Sequence, residues 1–489
     1  MSRMWSGILL LVAFTVIASP AFGDEVADLK RMVQDLQNQV ADLQKERAPV
    51  TSAVDQAVEE YLTRRAAGET SGETSGYVDG KFSLVSPEGD FKLNIGGGAT
   101  ANLQVNEPGG MQDNTFALAL VRLAICGQIG DGWFFRIQPE FSTSGVILRD
   151  AWIRASLGTL MGVTGSQYLD GVHLKAGQFK MPFSMAALAS PYAWDLITLP
   201  MVVRALAPAW DVGAQLSNTL YDGMLMYAMA ISNGTNSFND TDEFWYWARC
   251  VVAPFLSGDT EAVRNMRFGL SFGTSYASRG SGGTTSLSTA AGGPYGEVCD
   301  PDMYAYYGAY NANYPLHGRQ VLWCFEFLWW FSQWAVKAEA LYAIQEVDAP
   351  EPEKGSSDPY YPENVLGSGP SIGLGSGIMY DDEVETRGFY VQVLYALTGG
   401  DWSETPDDGL ELVGQIEWVE VDAGGDTENA DAWAYTLGVN YYFTSNACVR
   451  LGWTATDLGD DTLRSMEEDG IVRGGGLEHV LALRLQLTF

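Results

Sequence analysis

HVLALRLQLTF, from His479 to Phe489, alternates strictly: Leu481, Leu483, Leu485, Leu487 and Phe489 fall on one side of a strand, and Arg484, Gln486 and Thr488 fall on the other. A strand that is greasy on one face and polar on the other predicts a membrane-crossing strand, one face to lipid and one to water. Such a strand at the end of the chain also needs a partner for the last sheet edge. Closure into a barrel supplies one, because an open edge is not tolerated in hydrocarbon.

The N-terminus has Arg3, an apolar run from Ile8 to Ile17, and Ala21-Phe22-Gly23 with small residues at the minus-three and minus-one positions before Asp24. That pattern predicts a cleaved secretory signal over residues 1–23 and hence an exported protein. The alternative, a membrane-anchoring helix, needs about 18 apolar residues in a row, and Ser19-Pro20 ends this run early. The other apolar stretch, VLWCFEFLWWFSQWAV from Val321 to Val336, carries Glu326 and is rich in Trp and Phe. It predicts strand and interface girdle rather than a spanning helix.

The formal charge is −33, from 61 acidic and 28 basic residues. Phosphate backbones are gripped by clustered Lys and Arg, so this balance argues against nucleic-acid binding. The acids concentrate in Gly/Pro/Asp-rich stretches at 348–363, 381–385, 401–408, 422–431 and 457–469, which alternate with strand-like segments. Carboxylates at these spacings match no calcium-loop pattern, and solvated, cation-bridged outer loops are the expectation. The five cysteines, Cys126, Cys250, Cys299, Cys324 and Cys448, stand singly with no metal-ligand spacing, so no disulfide framework, metal site or cofactor is expected.

Val26, Leu29, Val33, Leu36, Val40 and Leu43 are spaced by threes and fours with polar residues between. Three heptads of coiled coil are expected over 24–48, ended by Pro49; a single amphipathic helix on another surface stays open. Residues 49–80 read as a second helix followed by the spacer GETSGETSG, Gly68 to Gly76. From 81 to 489 the period is two. Phe116 to Ile129 is expected to place Ala117, Ala119, Val121, Leu123 and Ile125 on one face, with Arg122 and Gln128 on the other. Phe268, Leu270 and Phe272 oppose Ser271; Phe389, Val391, Val393, Tyr395 and Leu397 oppose Gln392; Leu437, Val439, Tyr441 and Phe443 oppose Thr436 and Asn440. A soluble sandwich also alternates, but its exposed face would be rich in Lys and Glu. Here the polar face is Arg, Gln, Asn, Ser and Thr, only eight lysines occur in the chain, and Trp and Tyr crowd the segment ends. An all-β transmembrane antiparallel barrel behind an α-helical coiled coil follows.

LRDAWI (Leu148 to Ile153), KAGQFKMPF (Lys175 to Phe183), GFYVQVLYALTGG (Gly388 to Gly400), YTLGVNYYF (Tyr435 to Phe443) and RLQLTF (Arg484 to Phe489) occur in the order found in phosphate-selective porins O and P. The chain resembles that family over most of the region from Phe82 to the C-terminus. The resemblance implies about 16 antiparallel strands in the outer membrane, a homotrimer, and passive diffusion of small inorganic or organic ions, anions such as phosphate among them. It also implies contact with outer-membrane lipid and lipopolysaccharide, and insertion by the barrel assembly machinery, for which Phe489 is the expected signal. The Val/Leu heptads favour two-stranded coils and conflict with three copies, though a large body overrules a short coil.

A pore that selects phosphate is expected to line its constriction with fixed cations that replace the anion's hydration. By alternation Arg122, Arg136, Arg154, Arg267, Lys337, Arg450 and Arg484 are pore-lining candidates, and Lys180 matches the family's usual basic residue in GQFKMPF. Arg in a barrel wall also pairs structurally with a neighbouring acid. The long tyrosine-rich stretch from Arg279 to Gly318 is expected either to fold into the lumen or cap its mouth, or to meet lipopolysaccharide as a surface loop. His173 and His479 read as strand residues and His317 as a loop residue, with no Ser/His or Asp/His constellation, so no catalytic residue is expected and an outer-membrane enzyme is disfavoured. A structural tether with the coil reaching into the periplasm remains an alternative to the porin.

Overall fold

The computed structural model describes residues 74–78, 81–106, 114–142, 145–163, 169, 171–234, 244–277, 316–347, 383–403, 406–422, 430–458 and 478–489. The chain divides into two compact units, Met1–Thr74 and Ser75–Phe489. The expected signal, coiled coil and second helix, and nearly all of the 279–318 stretch, lie outside the described residues.

Two short strands, β1 (Thr74–Val78) and β2 (Lys81–Val85), precede a ring of longer ones. The ring runs β3 (Phe91–Asn106), β4 (Thr115–Ile129), β5 (Trp133–Ser142), β6 (Gly145–Ser156), β7 (His173–Lys180), β8 (Trp210–Leu220), β9 (Leu225–Ser232), β10 (Trp245–Val252) and β11 (Arg267–Ala277). It continues through β12 (Leu316–Phe331), β13 (Trp334–Val347), β14 (Glu383–Ala396), β15 (Gly409–Asp422), β16 (Ala430–Thr444), β17 (Ala447–Leu458) and β18 (Glu478–Thr488). Each strand pairs antiparallel with the next, and β18 pairs with β3, so 16 strands close on themselves as expected. Closure leaves no edge in the ring. Phe489 continues the seam beyond β18, exchanging backbone hydrogen bonds of 3.0 and 2.9 Å with Gly97.

Alternation sorts the faces as the closing strand predicts: Leu485 is 58% exposed on the outer surface and its neighbour Arg484 is 1% exposed inside. Phe268 and Leu270 point out and Ser271 in; Val393 points out and Gln392 in; Leu437 and Val439 point out and Thr436 and Asn440 in. VLWCFEFLWWFSQWAV forms the end of β12, a turn at Ser332–Gln333 and the start of β13, and among the described residues no helix is long and apolar enough to span a membrane. His317 lies in β12 rather than in a loop.

One expected face is wrong. In the β3–β4 ladder Thr100 pairs with Leu120 and Ala101 with Leu118, leaving Ala119 as a bulge. A bulge inserts one residue and reverses the parity beyond it. Phe116 and Leu118 are therefore the exposed residues of upper β4, and Ala117, paired with buried Asn102, faces inward, while Val121, Leu123 and Ile125 keep the outer face. A second bulge lies in β6, where Gln138 pairs with Asp150 and Pro139 with Leu148; it turns Arg149 inward beside Asp150.

Candidate functional site

The chain between β7 and β8, Met181 to Ala209, does not arch over the rim but packs inside the ring. It carries apolar residues without a period of two and a proline every eight or nine residues, Pro182, Pro191, Pro200 and Pro208, so it can neither join the sheet nor form a long helix. It forms one-turn helices at Met185–Leu188 and Met201–Leu206. Met181, Phe183, Met201, Val202, Val203 and Leu206 are buried against inward residues of β10 and β12 to β16, among them Trp247, Leu322, Leu341, Tyr390, Val419 and Ala434. The Phe183 ring meets Trp247 edge to face at 5.9 Å. Full burial of each such side chain is worth about 1.5–3 kcal/mol, enough to hold the segment to that side of the wall.

Polar contacts fix its height and turn. Glu339 on β13 accepts from Ser184 Oγ at 3.0 Å and from the backbone N–H groups of Met185 and Ala186, at the start of the first helix. Lys180 donates its Nζ to the carbonyls of Ala187 and Ala189, both at 2.6 Å, at the end of that helix. Carboxylate at the N-terminus and ammonium at the C-terminus suit the helix dipole. Ser184 holds φ at 62° to make the entry turn. Glu417 on β15 accepts from Met201 N–H at the second helix, and Asp195 pairs with Lys337 of β13 at 2.7 Å while its carbonyl accepts from Asn440 at 2.7 Å. At its far reach Tyr192 donates its hydroxyl to Gly98 O on β3 at 2.7 Å, and its own carbonyl accepts from Arg450 and Gln486. Gly98 is required there: an added Cβ would lie 2.9 Å from the Tyr192 ring. Burial of the phenol pushes its pKa up to about 12.

The candidate cations divide by what they touch. Lys180 and Lys337 anchor the inner segment. Arg122 pairs with Glu140, which also binds Arg149 at 2.7 Å, and Arg122, Arg149 and Lys180 all lie over the Trp210 ring at 4.8 to 4.9 Å. Arg136, 38% exposed at its side chain, lies 3.5 Å from Asp150. Arg154 on β6 and Lys175 on β7 are direct cross-strand partners on the inner face, both half-buried. Arg154 rests over Phe134 at 4.5 Å and Lys175 over Phe179 at 4.0 Å, with Trp152 5.9 Å from each. Arg267 rests over Trp330 at 5.0 Å. Arg450 and Arg484 are opposite each other on β17 and β18 and almost fully buried. Sequence reasoning missed Arg149, Lys175 and the whole inner segment. The proline spacing and the loss of alternation between two clear strands are the signals that point to the segment. A bulge leaves no such signal.

Cys324, Glu326 and Glu339 bring ligand atoms within 4.8 Å of one another. Glu326 is held by Arg249 and by Ser271 Oγ at 2.8 Å, and Glu339 by the inner segment, so the cluster is accounted for without an ion.

A closed ring of 16 strands with apolar residues outside, charged residues inside and a chain segment laid within the lumen defines an outer-membrane porin, a channel. The sequence model of the phosphate-selective porin O and P family matches residues 91–343, just over half of the chain, and the chain belongs to that family. No curated protein matches the sequence. Among solved structures, an anion-selective porin from Comamonas acidovorans is similar with a TM-score of 0.50 and 9% identity, over 82% of this chain and 100% of that one. The outer-membrane channel DcaP of Acinetobacter baumannii gives 0.47 and 11%, over 82% and 97%. The trimer form of OmpT from Vibrio cholerae gives 0.49 and 10%, over 82% and 99%.

Proposed function

We propose that the channel passes small ions by passive diffusion and favours anions, phosphate among them. The observation that carries this reading is the Arg154–Lys175 pair. Two cations placed directly across a ladder repel each other, and neither has a carboxylate within 4 Å among the described residues. An anion in the lumen relieves that repulsion and finds donors already ordered by the aromatic rings beneath them. The inward acids are engaged elsewhere, Glu339 and Glu417 with backbone N–H groups of the inner segment and Glu326 with Arg249.

In the same reading the signal is cleaved at Gly23, the barrel assembly machinery inserts the chain using Phe489, three copies assemble in contact with lipid and lipopolysaccharide, and the N-terminal coil projects into the periplasm. The test is the reversal potential of the purified protein in a planar bilayer under a potassium chloride gradient. Anion sign is expected, together with a shift toward cations in Arg154→Gln/Lys175→Gln. A unit charge 4 Å from an ion is worth about 1 kcal/mol in water-like dielectric, roughly a fivefold change in the anion-to-cation ratio for each charge removed. Cation sign in the unaltered protein overturns the preference and leaves the porin standing.

A further inference from the structure

Across β7 to β10, at the end of β7 and β8 opposite to the one where the inner segment leaves the sheet, the wall holds a cavity of about 220 Å³. Register puts its lining on the inner face. His173 on β7 pairs with Ser217 on β8, Ser217 with Ala228 on β9, and Ala228 with Arg249 on β10, while Thr219 and Met226 pair two residues further along the same face. Lys175, which pairs with Arg154, stands two residues from His173 on that face, about 7 Å along the strand. The cavity therefore continues the surface that carries the Arg154–Lys175 pair.

Two polar atoms at this place are buried and make no hydrogen bond among the described residues, Arg154 Nε and His173 Nδ1. Arg249 gives Nε and Nη2 to Glu326, so its charge is met within the wall. What remains on the lining is an imidazole and two hydroxyls, which both donate and accept, beside the apolar Met226 and Ala228. A water occupies about 30 Å³ in the liquid, so the space far exceeds what a compact inorganic ion fills. Such an ion also has no carbon surface to set against Met226 and Ala228. A solute with an anionic head and a hydroxyl-bearing carbon chain uses both parts, the cations and the cavity.

We infer that this stretch of wall is a subsite for a small hydroxylated organic anion, its carboxylate or phosphomonoester head at Arg154 and Lys175 and its chain in the cavity against His173, Ser217 and Thr219. The inference rests on the anion reading of the Arg154–Lys175 pair and narrows it to a class of solute. Inorganic ions pass the pair alone, whereas the organic anion is held there on its way through.

In a planar bilayer bathed in potassium chloride, glycerol phosphate is expected to reduce the current of the unaltered protein at about a tenfold lower concentration than propyl phosphate, which has the same head and no hydroxyl. Glycerate against propionate repeats the comparison with a carboxylate head and tells the two heads apart. The preference for the hydroxylated member is expected to shrink toward one in Ser217→Ala and in Ala228→Leu, which fills the cavity, and block by all four solutes to be lost in Arg154→Gln/Lys175→Gln. Crystals of the unaltered protein grown with glycerol phosphate are expected to show its phosphorus at Arg154 and Lys175 and its carbons in the cavity, a readout that needs no variant to fold. Equal block within both pairs of solutes, a preference kept in Ser217→Ala and Ala228→Leu, or a cavity holding water alone in those crystals overturns the inference. Anion-signed reversal potential with equal block removes the inference alone, whereas cation sign in the unaltered protein removes the anion reading beneath it as well.

Discussion

From β12 to β16 the inward residues include the apolar Leu322, Leu341, Ala343, Tyr390, Val419 and Ala434 beside Glu339, Glu417, Gln392, Gln415, Thr436 and Asn440, whereas from β17 across the seam to β7 they include Arg450, Arg484, Asn102, Arg122, Glu140, Arg154 and Lys175. Both arcs alternate with period two and both show lipid a similar apolar surface. Inside, the first behaves like half of a soluble core, completed by Phe183, Val202 and Leu206 of the inner segment, with carboxylates satisfied by that segment's N–H groups. The second keeps its cations on the wall. A porin wall is thus two-faced around its circumference as well as through its thickness.

The largest effect that separates the arcs is expected from Glu339→Ala. It strips the acceptor from Ser184 Oγ and two backbone N–H groups at once, at about 1–3 kcal/mol for each buried donor left unmade. A much lower unfolding temperature and noisy, enlarged single-channel currents are expected as the segment comes off the wall. Unchanged currents would show that packing alone holds it.

Gly98→Val tests the reach of the segment to the opposite arc. The added side chain meets the Tyr192 ring, and a loss of about 1–3 kcal/mol is expected from overpacking, with altered conductance. Tyr192→Ala in the same chain should recover part of it, and strictly additive effects would break the claimed contact.

The smallest expected effect is a pH dependence at the same contact. Burial raises the Tyr192 phenol from 10.0 to about 12, so the folded state holds its proton more tightly than the unfolded chain. The corresponding stability is intact below pH 10 and lost as pH rises toward 12. Unfolding temperature measured across that window should fall more steeply in the unaltered protein than in Tyr192→Phe.

How much of this was legible depends on the range of the interactions involved. Leu481 to Phe489 against Arg484 and Gln486 is a local pattern, and it fixed lipid and lumen faces that the structure keeps. Arg122, Arg154 and Arg450 were placed inward by the same local rule. The bulges at Ala119 and Arg149 depend on how two strands meet, so the sequence of one strand does not betray them. The inner segment depends on carboxylates more than 150 residues away, as in the Met185–Glu339 contact. The tyrosine-rich 279–318 stretch stands out by its length, which a sequence displays, whereas the docking of residues 181–209 leaves no such mark.

The claim on which all of this stands is that neighbouring residues of one strand face different solvents. Arg154→Cys and Ile153→Cys, adjacent on β6 with Ile153 57% exposed on the outer surface, test it most directly in a planar bilayer with a charged, membrane-impermeant thiol reagent. The reagent is expected to reduce the current through Arg154→Cys and to leave Ile153→Cys at the level of the unaltered protein. Equal block of both, or block of Ile153→Cys alone, would contradict it.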